Sequence, residues 1–143
     1  MPTPVAITPI YNSGDLAKIL EAEQFQVEDT VADLTEEQMV WRPNEKAKSA
    51  LDIIWHLGYQ ARREKPANKG EALAAFQADH KRLQEMIATP GKLDEKMTWW
   101  NGAEITLRGF VWGMIRHRAY HLGELVYLRQ TMGVDEPKYY HER

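Results

Sequence analysis

Residues 106–128 read TLRGFVWGMIRHRAYHLGELVYL. Within them Phe110, Met114, His117, His121, Leu125 and Leu128 recur every three or four positions, the period of one buried helix face. Two imidazoles therefore stand where apolar side chains are expected. A spacing of four stacks both rings on one face of a helix, where they can grip one metal ion. A ring placed there must find a partner for each nitrogen or forfeit roughly 1–3 kcal/mol per unsatisfied group. A metal on one nitrogen and a carbonyl or carboxylate on the other would meet that need. A hydrogen-bonded pair of core histidines is the other reading.

Outward from this helix, Thr106 is placed to cap its start and Gly133 to end it, leaving a polar tail over 134–143. Upstream, Met97-Thr98-Trp99-Trp100 and Ala103-Glu104-Ile105-Thr106 flank Asn101-Gly102, a dipeptide favoured in type I′ turns, which predicts a small β-hairpin or hairpin-like loop. Glu71 to Ala88 carries Leu73, Phe76, Leu83, Met86 and Ile87 in a helical pattern and is stopped by Pro90-Gly91. Ahead of it the polar segment Arg62 to Gly70, with Pro66 inside it, breaks the pattern. Ser49 opens another helix through Leu51, Ile54, Trp55, Leu57 and Tyr59, apolar round much of its circumference and therefore central. Thr35-Glu36-Glu37-Gln38 has capping-box spacing, predicting a short helical turn closed by Trp41-Arg42-Pro43. The first helix takes Ser13 as its N-cap and runs to about residue 34 on Leu16, Ile19, Leu20, Val27, Val31 and Leu34, a face interrupted by Glu23 and Gln24. The sum is an all-α chain folded as an antiparallel four-helix bundle with short connections, one of which carries the hairpin. A single domain over 1–143 is expected, with the bundle at about 13–133.

At 143 residues, with 43% hydrophobic and 27% charged side chains, the chain suits one soluble globular domain with a real core. Its formal charge of -3 argues against a nucleic-acid partner, since phosphate binding rests on a positive surface. Short basic groups such as Arg62, Arg63 and Lys65, or Arg116 and Arg118, read as solvated helix faces. Cysteine is absent, so there is neither a disulfide framework nor a thiolate nucleophile, and a metal site must be built from histidine, carboxylate and water. Met1 to Ile10 has prolines at 2, 4 and 9 and neither a basic start nor a long apolar run, unlike a signal peptide or anchor. No other stretch approaches the roughly 20 apolar residues of a spanning helix. A cytoplasmic location without a membrane partner is the expectation.

A third ligand is sought among the remaining histidines. His56 lies within Ile53-Ile54-Trp55-His56-Leu57-Gly58, mid-way along the second helix. A lone histidine among apolar neighbours reads as a hydrogen-bonded core residue or, because a bundle core brings distant side chains together, as a ligand. Three histidines from two helices would leave coordination positions open, as in catalytic or exchange-competent sites. Glu124, three residues after His121, lies near the same face as an outer acceptor or general base, or else as a surface carboxylate. Arg118 rather than Glu follows His117, so the zinc-protease pattern is absent. Tyr120 and Arg116 fall on other helix faces. His80, beside Gln77 and Lys81, reads as exposed and outside a metal site, and His141 lies in the tail. Trp99, Trp100 and Trp112 gather near the hairpin, packing in the core or lining a pocket mouth or dimer face.

Trp41-Arg42-Pro43, Ser49 followed by Ile53-Ile54-Trp55-His56-Leu57, then Asn101-Gly102, Thr106-Leu107 and His117-Arg118-Ala119-Tyr120-His121-Leu122-Gly123-Glu124-Leu125 together resemble the DinB-like superfamily, which includes bacillithiol- and mycothiol-dependent transferases and isomerases. The resemblance implies a four-helix bundle holding a divalent metal, most often zinc or nickel, on His56, His117 and His121, in a homodimer. It also implies an activity similar to thiol S-transfer. There the metal lowers the pKa of a low-molecular-weight thiol whose thiolate attacks a small-molecule electrophile, with Glu124 assisting. Lacking cysteine, the chain would take that thiol from outside. The alternative is a non-catalytic, metal-binding dimeric bundle with a stress-associated or interaction role; nucleic-acid binding is the weakest reading.

Overall fold

Asn12 accepts the Asp15 N–H on Oδ1 at 2.8 Å and starts α1, Ser13–Ala32. The cap lies one residue before Ser13, which is itself the first helical residue. The structure, a computed structural model, describes residues 12–140. Helix α2, Glu36–Val40, opens on the predicted capping box, with Gln38 N–H on Thr35 Oγ1 at 3.1 Å and Thr35 N–H on Gln38 Oε1 at 2.9 Å. Helix α3, Ala50–Leu57, uses the same device between Ser49 and Asp52. Helix α4, Lys69–Ala88, starts slightly earlier than the sequence suggests. Asn68 Oδ1 accepts the Glu71 N–H at 2.9 Å, so Gly70 belongs to the first turn of α4 and not to the break before it.

Strands β1, Lys96–Thr98, and β2, Glu104–Thr106, pair antiparallel with Met97 opposite Ile105. The hairpin is present, but its turn is not type I′. That turn needs positive φ at both central residues, and among the described residues only glycines have it. Here Gly102, at φ 85°, donates its N–H to Trp99 O at 2.8 Å. Helix α5, Leu107–Thr131, follows at once, capped by Thr106 Oγ1 on the Gly109 N–H at 3.1 Å. It ends as expected at left-handed Gly133, where the Val134 N–H reaches back to Arg129 O at 3.2 Å. The described part of the tail packs on α1: Pro137 is buried and the Tyr139 N–H reaches Asp29 Oδ2 at 3.3 Å. His141 lies outside the described residues.

Helices α1, α3, α4 and α5 form the bundle, with α5 packed chiefly along α1 and α3 chiefly on α4. The core divides into two apolar clusters. One joins Leu16 and Leu20 of α1 to Leu83 and Ile87 of α4 and Val111 and Ile115 of α5. The other joins Val27 and Val31 to Ala72 and Phe76 and to Leu125 and Leu128, with all the buried apolar residues of α3. Helix α4 therefore runs antiparallel to both α1 and α5. Between the clusters lies a polar layer of buried Glu23, Gln24, Asp79 and Arg118.

Arg118 is only 2% exposed, which corrects its reading as part of a solvated face. The inward face of the first half of α5 is Leu107, Val111, Ile115 and Arg118. Phe110, Met114 and His117 stand at the edge of that face, half-buried, and the predicted stripe rejoins the core at His121, Leu125 and Leu128. Trp99 packs edge-on to Phe110 and lies over Gly113, whereas Trp100 is exposed. Among the described residues no helix is long and apolar enough to cross a membrane.

Candidate metal centre

The end of α3 and the middle of α5 meet at three imidazoles. His56 lies in the last turn of α3 and is exposed, which corrects its placement mid-helix among core neighbours. Its helix is held at both ends. Asp52 of the capping box takes Arg42 at 2.6 Å and Lys65 at 3.2 Å, and the Trp55 indole donates to Arg62 O at 3.2 Å. The Gly58 N–H closes α3 on the carbonyls of Ile54 and Trp55. At Gly58 the chain presses on α4 so closely that a Cβ would stand 2.7 Å from Phe76 N. A glycine is required there by contact, not by φ.

His117 and His121 project from adjacent turns of α5, the first half-buried and the second 4% exposed. Nε2 of His117 lies 2.9 Å from Nε2 of His56 and 3.1 Å from Nε2 of His121, and the donor atoms of all three fall within 4.8 Å of one another. Donors about 2.1 Å from one ion, and about 90–110° apart, stand roughly 3.0–3.4 Å from each other. The His117–His121 spacing falls in that range and the His56–His117 spacing just below it, so His117 stands to each of the other two rings as a joint ligand would, at distances that also suit ring-to-ring hydrogen bonds. On the far side of the His121 ring, Glu124 Oε1 sits 2.6 Å from Nδ1. A carboxylate so near favours the Nδ1–H tautomer of neutral His121, the form whose lone pair is on Nε2.

Electrostatics favours the ligating form. Burial pushes all three imidazole pKa values down, with mutual repulsion adding to it at His56 and His117. His117 falls to about 4, while Glu124 opposes the shift at His121. The Lys48 ammonium acts on all three rings in the same direction as burial. At neutral pH the three rings are neutral, as metal ligation demands. Tyr120, 69% exposed, lays its ring edge-on to His121 with centroids 5.0 Å apart. His80 is half-buried against Arg118, 3.3 Å from Nη1, and is not part of the three-histidine group. A cavity of about 470 Å³ opens elsewhere, between Thr35, Glu37, Gln38, Trp41, Thr131 and Met132, and none of the three histidines lines it.

Fold and site define a four-helix bundle with a three-histidine candidate centre for a divalent metal. Comparison with known proteins agrees on the fold. The family model of the DinB superfamily matches residues 59–125, so it covers His117 and His121 but stops short of His56. The fold is similar to that of YfiT from Bacillus subtilis, described as a probable metal-dependent hydrolase with an unusual four-helix bundle topology. The TM-score is 0.73 at 14% identity, over 94% of this chain and 95% of that one. It is also similar to YjoA, a DinB-like protein of Bacillus subtilis, with TM-score 0.67 at 13% identity over 85% of this chain and 94% of that one. No curated protein matches the chain in sequence. The family model thus matches just under half of the chain, and the likeness to the two solved structures is one of fold.

Proposed function

We propose that the chain is a metal-dependent enzyme in which His56, His117 and His121 hold a divalent ion, zinc or nickel, and activate a nucleophile on its open side. The observation that carries this reading is the convergence of three Nε2 atoms, His117 within 2.9 and 3.1 Å of the other two. A divalent ion held there would act as a Lewis acid and lower the pKa of a water or thiol placed on it. The nucleophile we favour is an external low-molecular-weight thiol, giving S-transfer to a small electrophile. Hydrolysis, the activity attached to YfiT, is the same centre working with water.

The chain's own side chains have separate tasks in this scheme. Glu124 holds His121 in the Nδ1–H tautomer and aims its Nε2 inward, so it acts through that ring. Lys48 adds positive charge beside the rings and favours an anionic nucleophile over its protonated form. His56, on the exposed side, leaves the approach open. The homodimer belongs to this reading as well, with Tyr120 and Tyr127, both exposed on α5, offering apolar area to a second copy.

The test is metal analysis of untagged protein beside His117→Ala, followed by thermal-shift titration of the loaded protein with 2-mercaptoethanol and other small thiols. About one zinc or nickel per chain, lost in the variant, is the expected result, with stabilisation rising with thiol concentration. An unmodified chain that holds no metal sinks the reading. Metal without any thiol response leaves water as the nucleophile.

A further inference from the structure

The two helices that supply the ligands meet each other less than α3 meets α4 and less than α5 meets α1. Beside that direct contact, one residue of α4 touches both ligand-bearing helices next to their histidines. Two residues beyond His56, Gly58 rests on the α4 backbone, where a Cβ would lie 2.7 Å from Phe76 N and 2.9 Å from Ala75 C. From the other side, the Arg118 guanidinium lies over the Phe76 ring at 4.7 Å from its centroid. Arg118 is the residue after His117.

We propose that Phe76 is the common reference that fixes how His56 stands toward His117 and His121, with Gly58 seating α3 on its backbone and Arg118 seating α5 on its ring. Arg118 is then a positioning residue of the metal centre. The inference rests on the metal reading given above.

The surroundings of Arg118 suit that task. Its Nη1 reaches Gln24 Oε1 of α1 at 3.3 Å and His80 Nδ1 of α4 at 3.3 Å, and Nη2 stands 3.6 Å from Asp79 Oδ2. Asp79 is itself held by Arg82 at 2.8 Å. A planar guanidinium gripped from two helices resists rotation of α5 about its own axis. A side chain about 6 Å from a helix axis moves roughly 1 Å for a turn of about 10°. Donor groups tolerate only about 0.5 Å. Loss of the grip therefore unsettles His117 and His121 without touching either ring. Gly58 does the same for His56, because any Cβ there must push α3 away from α4.

The experiment compares the unmodified chain with Gly58→Ala, Arg118→Met and, as a control in the other apolar cluster, Leu83→Ala. Methionine keeps the buried stem of Arg118 while Asp79 retains Arg82, so the fold should persist. Two quantities are measured. One is zinc affinity, by competition with a chromophoric chelator; the other is the set of NOEs between the His56 and His117 rings in metal-free protein. Gly58→Ala and Arg118→Met are expected to weaken zinc binding about 10- to 100-fold and to lose the inter-ring NOEs while still unfolding cooperatively. Leu83→Ala should lose stability and keep both. Unchanged affinity and NOEs in Arg118→Met overturn the proposal, as does an equal loss in Leu83→Ala, which would make stability the cause. If the unmodified chain binds no zinc, the metal reading fails by itself and the NOEs decide the positioning role.

Discussion

His117 and Arg118 are neighbours in sequence and stand in contrasting surroundings. The first belongs to a cluster open toward solvent through exposed His56, in which every ring is driven neutral and three Nε2 atoms gather together. The second belongs to a sealed layer, where a guanidinium is met by Asp79, Gln24 and His80 and by the face of Phe76. Both break the rule that a bundle core is apolar, by different means. The open cluster discards charge and keeps donor capacity for something from outside; the sealed one keeps its charge and answers it in part from within, with Arg118 Nη2 and Glu23 Oε1 left without hydrogen bonds.

Breaking the sealed side should cost most. Arg118→Ala takes from Asp79 the more buried of its two guanidinium partners, leaving it Arg82, and opens a gap over Phe76, and is expected to lose about 2–4 kcal/mol of stability in denaturant unfolding. A loss below about 1 kcal/mol would show that the layer is not the compensated network described here. Glu23 tests the same layer from α1. Burial lifts its carboxyl pKa to about 7 from an unfolded value of 4.5, against the pull of Arg118. The folded chain thus holds this proton more tightly, so stability falls as pH rises from about 4.5 through 7 and levels off above. Glu23→Gln is expected to gain about 1–3 kcal/mol at pH 8, and nothing at pH 4, where the carboxyl is neutral in both states. An equal gain at both pH values would remove the titration as its cause.

The open side should respond more gently. Glu124→Gln keeps the shape but loses the charge on His121 Nδ1, and zinc affinity is expected to fall about tenfold with the melting temperature barely moved. Lys48→Met should tighten zinc binding roughly two- to threefold at low ionic strength, since one exposed like charge is removed, and the difference should vanish near 1 M salt. Persistence of that difference in high salt would mean that Lys48 acts by contact and not by its field.

Much of the fold was legible because its signals are local. Thr35 with Gln38, Ser49 with Asp52, Thr106, Pro90-Gly91 and Gly133 each announce a helix end through chemistry within a few residues. The same holds for His117, His121 and Glu124, whose spacing needs only a helix to bring them together. For His56 the bundle argument leaves two readings open, ligand or core histidine, and family resemblance is what favours the ligand, as nothing local separates the two.

The polar layer was not legible, although traces of it were present. Asp79 sits between Phe76 and Leu83 on the buried stripe of α4, Arg118 follows Val111 and Ile115 on that of α5, and Glu23 and Gln24 interrupt that of α1. Each reads alone as a blemish in one helix. That they occupy one level and answer each other depends on pairings some 40 to 95 residues apart, which no periodicity reports. The start of α4 shows the same limit, since Gly70 looks like a breaker until Asn68 supplies the cap.

The division of the core has one more consequence, for the way the molecule opens. Helices α1, α4 and α5 each run through both apolar clusters, so none can detach without disrupting both, and those three share one cooperative unfolding event. Helix α3 differs, because all of its buried apolar residues lie in a single cluster. It can peel off by sub-global opening while the long helices hold, and its amides should exchange with solvent ahead of theirs. The short helix that bears His56 is thereby the natural door of the molecule, hung on a frame of three long helices.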